Sequence, residues 1–102
     1  MDNKLIAKNL TKSIDDVFKI LPLYEDKNDY LPVYIDSLIF KLRGIEIDDS
    51  ECNEEYASML IILNSLRIEI KSLEFDNQLT IKREVFKSIN MIKKIISKLE
   101  VL

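Results

Sequence analysis

Histidine is absent from this 102-residue chain, which also has only one cysteine, one glycine and two prolines. Without histidine, the chain lacks the commonest general base and the commonest metal ligand. The single Cys52 cannot form an intrachain disulfide, and its acidic neighbours disfavour a nucleophilic thiolate, so we expect a small buried hydrophobe. So little glycine and proline favours a few long elements over many strands and turns.

Long apolar runs are missing as well. The longest, Met59–Leu63, has five residues, whereas a membrane-spanning helix needs about 20. The first residues also lack the apolar core of a signal peptide. With 47% apolar and 32% charged residues, the composition is typical of one folded domain, to which we assign residues 1–102. We therefore expect a cytoplasmic protein.

The chain does contain four stretches in which apolar residues recur at steps of three and four. This spacing places each set on one stripe of a helix, because 3.6 residues make a turn. Short connections between neighbouring helices favour antiparallel packing. The sequence therefore predicts an all-α fold, an antiparallel four-helix bundle. The stripes are Leu10–Ile14–Val17–Leu21, Leu31–Ile35–Leu38–Leu42, Tyr56–Met59–Leu63–Leu66–Ile70–Leu73 and Val85–Ile89–Ile92–Ile96–Leu99.

Proline and glycine set the boundaries of the first two predicted helices. The first helix should start near Asp2 or Asn3 and end by Leu21, because Pro22 disfavours the α conformation in the residue before it. Residues 22–29 are then a loop. The second helix should start within residues 29–31, where Pro32 falls in its first turn. We expect Gly44 to end that helix in a left-handed conformation.

Polar residues mark the start of the last two predicted helices. Ser50 is the expected N-cap of the third, which runs to residues 73–74. Asn77 or Thr80 should cap the fourth, which continues nearly to Leu102.

The net charge of −3 is unevenly distributed, at −7 over residues 1–79 and +4 over residues 80–102. One face of the fourth predicted helix carries four of the six basic residues found between residues 80 and 102. Three interpretations compete for it. The basic end of the fourth helix could pair with the acidic start of the third; the face could bind an acidic protein or anionic lipid headgroups; or it could bind nucleic acid, which a pI near 5.0 disfavours. The residues of this face are Arg83, Lys87, Asn90, Lys94 and Lys98.

Catalytic, cofactor and metal sites are not expected. The acidic residues between 46 and 55 lack the ligand spacing and central glycine of a calcium loop, and a solvated linker explains them better. A helical mutase would need several arginines converging on its substrate, whereas Arg43, Arg67 and Arg83 each fall on a predicted polar face. The sequence therefore predicts a protein that binds but does not catalyse.

At this point the chain resembles a known group in its helix pattern, loop lengths and charges. An N-terminal helix is followed by a loop with Asp29-Tyr30-Leu31, and then by a second helix that runs from Leu31 through Leu38-Ile39-Phe40-Lys41-Leu42. An acidic connector, Glu46-Ile47-Asp48, precedes a long apolar third helix that closes on Phe75, and a charged fourth helix follows. In this pattern the chain looks like the immunity proteins of pediocin-like (class IIa) bacteriocins, in particular the enterocin A immunity type.

The resemblance implies a function in antimicrobial resistance. Proteins of this family protect their host cell from a pore-forming peptide, acting from the cytoplasmic side at the bacteriocin's membrane receptor, the mannose phosphotransferase permease. Their C-terminal half is held to select the bacteriocin. The partner-binding candidates that this implies are Phe75, Asn77, Arg83, Lys87, Lys94 and Lys98.

A small helical regulator or adaptor, of phage or toxin–antitoxin type, is the alternative, and it would act as a dimer. Apolar residues outside the four stripes would form its interface. For an immunity protein we instead expect a monomer, with a dimer as a possible second state, and a peripheral contact with the inner face of the membrane. The surplus apolar residues are Ile6, Phe18, Ile39, Ile62 and Phe86.

Overall fold

All regular structure in the described part of the chain is α-helical; the computed structural model describes residues 3–45, 52–71 and 78–101. The helices are α1 (Asn3–Phe18), α2 (Ile20–Glu25), α3 (Leu31–Arg43), α4 (Asn53–Lys71) and α5 (Gln78–Val101). α5 packs along α1 on one side and along α4 on the other, and α3 packs on α4. The fold is the predicted antiparallel four-helix bundle, with α1 and α2 together as its first arm.

Every predicted stripe faces one shared core. Its larger central members are fully buried, while Ile14, Leu21, Ile70 and Ile96 are half-buried and pack against its edge. Leu73 lies outside the described residues. Cys52 is buried, as predicted. The apolar residues at most 1% exposed are Leu10, Val17, Ile20, Ile35, Leu42, Cys52, Met59, Leu63, Leu66, Ile81, Val85, Ile92 and Ile95.

α1 ends at Phe18, within the predicted limit of Leu21, but residues 22–25 belong to α2, so the prediction that they are loop was wrong. Lys19 keeps right-handed helical angles (φ −63°, ψ −15°), and its N–H donates to the Asp15 carbonyl at 3.1 Å. Pro22 falls in the first turn of α2, where its missing N–H removes only the bond to the Phe18 carbonyl. The chain therefore breaks its hydrogen-bond ladder locally and continues helically to Glu25.

Lys27, and not Gly44, adopts the left-handed conformation. Lys27 has φ 54°, and the Lys27 and Asn28 N–H groups donate to the carbonyls of Tyr24 and Leu23 at 3.1 and 3.0 Å. These two bonds are the Schellman pattern that closes a helix C-terminus. Gly44 follows α3 with right-handed angles (φ −75°, ψ −11°), so the prediction of a left-handed cap there was wrong.

Other boundary predictions had mixed outcomes. α3 begins within the expected residues and has Pro32 in its first turn. Thr80 lies inside α5, so it is not the cap of that helix. The proposed caps Asp2, Ser50 and Asn77 fall outside the described residues.

Two of the surplus apolar residues belong to the core. Ile6 and Ile39 are buried, so they cannot form the interface suggested for an adaptor. Ile62 is half-buried, while Phe18 and Phe86 are exposed and meet edge to face, with ring centroids 6.2 Å apart. Of the helices described, none is both long enough and apolar enough to cross a bilayer.

Candidate functional site

The outer surface of α5 carries most of the predicted partner-binding residues. Burial of the Val85–Leu99 stripe turns the opposite side of the helix toward solvent. Four residues there, which we call the basic face, are Lys87, Asn90, Lys94 and Lys98. They line a shallow depression of about 590 Å³ together with Met91, Lys93 and Ser97.

Lys98 joins the basic face to α4. Its Nζ donates to Glu55 Oε1 at 2.6 Å, and the Glu55 side chain is only 16% exposed. This hydrogen bond is the main reason that the pKa of Glu55 is lowered, with a backbone hydrogen bond and the charges of Lys98 and Lys94 acting in the same direction and burial opposing them. The interpretation that the basic end of α5 pairs with the acidic start of α4 is therefore confirmed at this contact.

Arg83 and Lys87 share a carboxylate on their own helix. Arg83 Nε lies 3.7 Å from Glu84 Oε1, and Lys87 Nζ lies 3.5 Å from the same oxygen. Both cationic side chains remain more than half exposed. Arg83 does not line the depression, so the structure separates it from the other basic candidates.

Lys94 and Asn90 form the outermost part of the basic face. Both side chains are exposed, and they stand one turn apart on α5. With Lys87 they present two ammonium groups and one amide to solvent. The two ammonium groups attract anions, and all three groups can donate hydrogen bonds to carboxylates or phosphates, so they suit an acidic partner. Phe75 and Asn77, the two remaining candidates, lie outside the described residues.

An apolar groove beside α2 was not predicted from the sequence. It has a volume of about 770 Å³, and it forms where α2 meets the start of α5. Helical periodicity did not predict the groove because residues 22–25 were expected to be loop, although Phe18 and Phe86 were expected to be surplus apolar residues. The groove is lined by Phe18, Leu21, Pro22, Tyr24, Glu25, Leu79, Lys82 and Phe86.

The arrangement on α5 is suited to electrostatic recognition. Among residues 3–45, 52–71 and 78–101, no three or more Cys, Asp or Glu side chains are grouped to hold a metal ion.

The chain matches no family model, no curated protein and no solved structure.

Proposed function

We propose that this chain is a bacteriocin immunity protein. It protects its cell from a pore-forming class IIa bacteriocin by binding, without catalysis, at the cytoplasmic side of the peptide's membrane receptor, the mannose phosphotransferase permease. The proposal combines the family resemblance of the sequence with the surface chemistry of α5. The observation that carries most weight is the solvent-facing pair Lys87 and Lys94 on a helix whose other side is buried.

The basic face supplies the binding energy in this proposal. Lys87 and Lys94 make the first contact with an acidic surface of the receptor, and the exposed Arg83 extends the positive field toward the start of α5. Lys98 contributes charge while it remains bonded to Glu55. By the family resemblance, Phe75 and Asn77 are also candidates for partner recognition.

A peripheral contact with lipid is a second use of the same charges. Each lysine or arginine close to an anionic membrane contributes about 1 kcal/mol of attraction, and the attraction weakens with salt. The two solvent-facing lysines would then strengthen binding near the receptor without selecting a bacteriocin. Protein and lipid contacts are distinguishable, because protection through the receptor should vary with the bacteriocin used, whereas protection through lipid should not.

The test is protection of a sensitive strain that expresses the chain, challenged with a panel of class IIa peptides. We expect survival against at least one peptide, and we expect the charge reversal Lys87→Glu/Lys94→Glu to abolish it. Lys8→Glu/Lys12→Glu is the matched control, since it makes the same charge change at two exposed residues of α1. Unchanged killing by the whole panel would contradict the proposal.

A vesicle assay separates the two uses of the basic face. Binding to phosphatidylglycerol vesicles that Lys87→Glu/Lys94→Glu removes, together with protection that does not vary between peptides, would assign the face to lipid. Protection against particular peptides without vesicle binding would assign it to the receptor.

A further inference from the structure

The outer side of α3 and α4 exposes large apolar residues. Val33 and Phe40 on α3 are 51% and 80% exposed, and Ile61 and Ile68 on α4 are both 64% exposed. The residues of each pair are seven positions apart, which is about two turns, so each pair shares one side of its helix. They are four of the nine large apolar side chains exposed in the described part of the chain.

Two contacts fix the register of these helices. The Tyr56 hydroxyl donates to the Leu42 carbonyl at 2.8 Å, and Arg67 Nη1 lies 3.1 Å from Asp36 Oδ1. Because α3 and α4 are antiparallel, this register brings Phe40 level with Ile61 and sets Val33 toward the end that carries Ile68. The ion pair lies between the two apolar pairs, closer to Val33 and Ile68 than to Phe40 and Ile61. We call Val33, Asp36, Phe40, Ile61, Arg67 and Ile68 the α3–α4 outer face.

This pattern is unusual for a helix whose outer side meets only water. α4 buries Met59, Leu63 and Leu66 on its core side, yet it also carries isoleucines on the opposite side. A surface helix normally has one apolar stripe, so large apolar residues exposed on the opposite side of two neighbouring helices favour a contact surface there.

We propose that the α3–α4 outer face is the interface of a symmetric homodimer. A two-fold axis parallel to the helices, between α3 and α4, lays α3 of one copy on α4 of its partner. Asp36 then meets the Arg67 side chain of the second copy, and Phe40 meets the second copy's Ile61. This interface is isologous, because each copy uses the same residues.

The charges of Asp36 and Arg67 favour a second copy of this chain, in this orientation, as the partner of the α3–α4 outer face. Asp36 and Arg67 are 45% and 37% exposed, so both can add a partner across the interface. The other two-fold arrangement, α3 on α3, would oppose two aspartates and two arginines, and like charges in contact are costly. A second copy therefore offers apolar groups and opposite charge at the matching positions, while the short length of α3 keeps the contact small and the dimer reversible.

The dimer goes beyond the proposed function and does not depend on it. α4 contacts α3 on one side and α5 on another, and Lys98 approaches it from the α5 side. The basic face therefore stays open in each copy. A chain that dimerises without protecting cells would contradict only the proposed function, and a chain that protects cells as a monomer would contradict only the dimer.

Sedimentation velocity of the full chain over a range of concentrations tests the apolar contact. We expect a concentration-dependent dimer and a Kd that Phe40→Gln raises about 10- to 100-fold. Leu79→Gln is the matched control, because Leu79 is 78% exposed on α5 and should leave the Kd unchanged. A monomer at every concentration up to about 1 mM, or equal effects of the two variants, would overturn the proposal.

A mixing experiment tests the charges and separates contacts between copies from contacts within one. Asp36→Arg gives a face with two positive charges, and Arg67→Asp gives one with two negative charges, so each variant alone should be a monomer. An equimolar mixture should form a heterodimer, because opposite charges then meet across the interface. Circular dichroism checks that both variants are folded. A mixture that stays monomeric while the unmodified chain dimerises would show that another face is used.

Discussion

Glu55 on α4 and Glu84 on α5 have the same exposed fraction, 16%, but they are used differently. Glu55 accepts a hydrogen bond from Lys98 on another helix at 2.6 Å. Glu84 lies 3.5 and 3.7 Å from two cations of its own helix, both largely in solvent. Burial alone therefore does not decide what a carboxylate contributes to the bundle; the location and geometry of its partner do.

The contacts of Glu55 and Glu84 differ in whether they depend on how the helices pack together. A pair between helices forms only when α4 and α5 adopt their native register, so it favours that register over others. A pair three residues apart on one helix can form wherever that helix forms, and it contributes about 0.2–0.5 kcal/mol. The Glu55–Lys98 contact thus belongs to the tertiary structure, and the Glu84 contacts belong mainly to α5.

The largest expected loss of stability comes from a substitution in the core that α4 and α5 share. Leu63→Ala should lower the free energy of unfolding by about 2–5 kcal/mol, because Leu63 is fully buried and its loss leaves a cavity. Urea denaturation followed by circular dichroism measures the change. Leu79→Ala, the same substitution at an exposed position, should change stability by less than about 0.5 kcal/mol. Equal losses would mean that Leu63 does not pack as described.

The next largest loss of stability should come from removing the Glu55–Lys98 contact between α4 and α5, and it should depend on pH. The pKa of Glu55 is lowered from 4.5 by its bond to Lys98. The native state therefore favours the charged carboxylate, and this contribution to stability is complete above pH 4.5 and is lost as the pH falls through the lower native pKa. Glu55→Gln should destabilise the protein at pH 7, and the difference from the unmodified chain should shrink with acidification.

Glu54→Gln is the control for that experiment. Glu54 is the exposed neighbour of Glu55 in the first turn of α4, so the substitution makes the same chemical change at a solvated position. Thermal unfolding between pH 7 and pH 3 measures both variants. A Glu55→Gln effect that stays constant over this range would argue against a titrating contact.

The sequence was sufficient for the contacts that depend on helical periodicity. The four stripes predicted the bundle, and the charge distribution along the helices offered the approach of α5's basic end to the start of α4 as one of three interpretations, which the Glu55–Lys98 contact confirms. Both depend on a repeat of 3.6 residues and on antiparallel order, which composition and spacing reveal.

The features that were missed depend on local backbone geometry or on which neighbour covers a residue. Pro22 was compatible with a helix because the first turn of α2 does not need its N–H. Lys27 became the left-handed residue because the arm ended there, after the helix had continued past Pro22. Ile6 and Ile39 widened the core beyond a single stripe, while Phe40 stayed exposed on the outer side of α3. Periodicity cannot assign such residues until the neighbouring helices are placed.

The smallest effect should come from Glu84→Gln. Its two cationic partners are exposed, water competes for them, and α5 is held by its buried stripe, so we expect a loss of at most about 0.5 kcal/mol at pH 7. Urea denaturation beside Glu55→Gln gives the comparison, since the two substitutions make the same chemical change at carboxylates of equal exposure. A loss as large as that of Glu55→Gln would mean that Glu84 also stabilises packing between helices. In that event, equal exposure, and not the helix that supplies the partner, would be the better guide to what these carboxylates contribute.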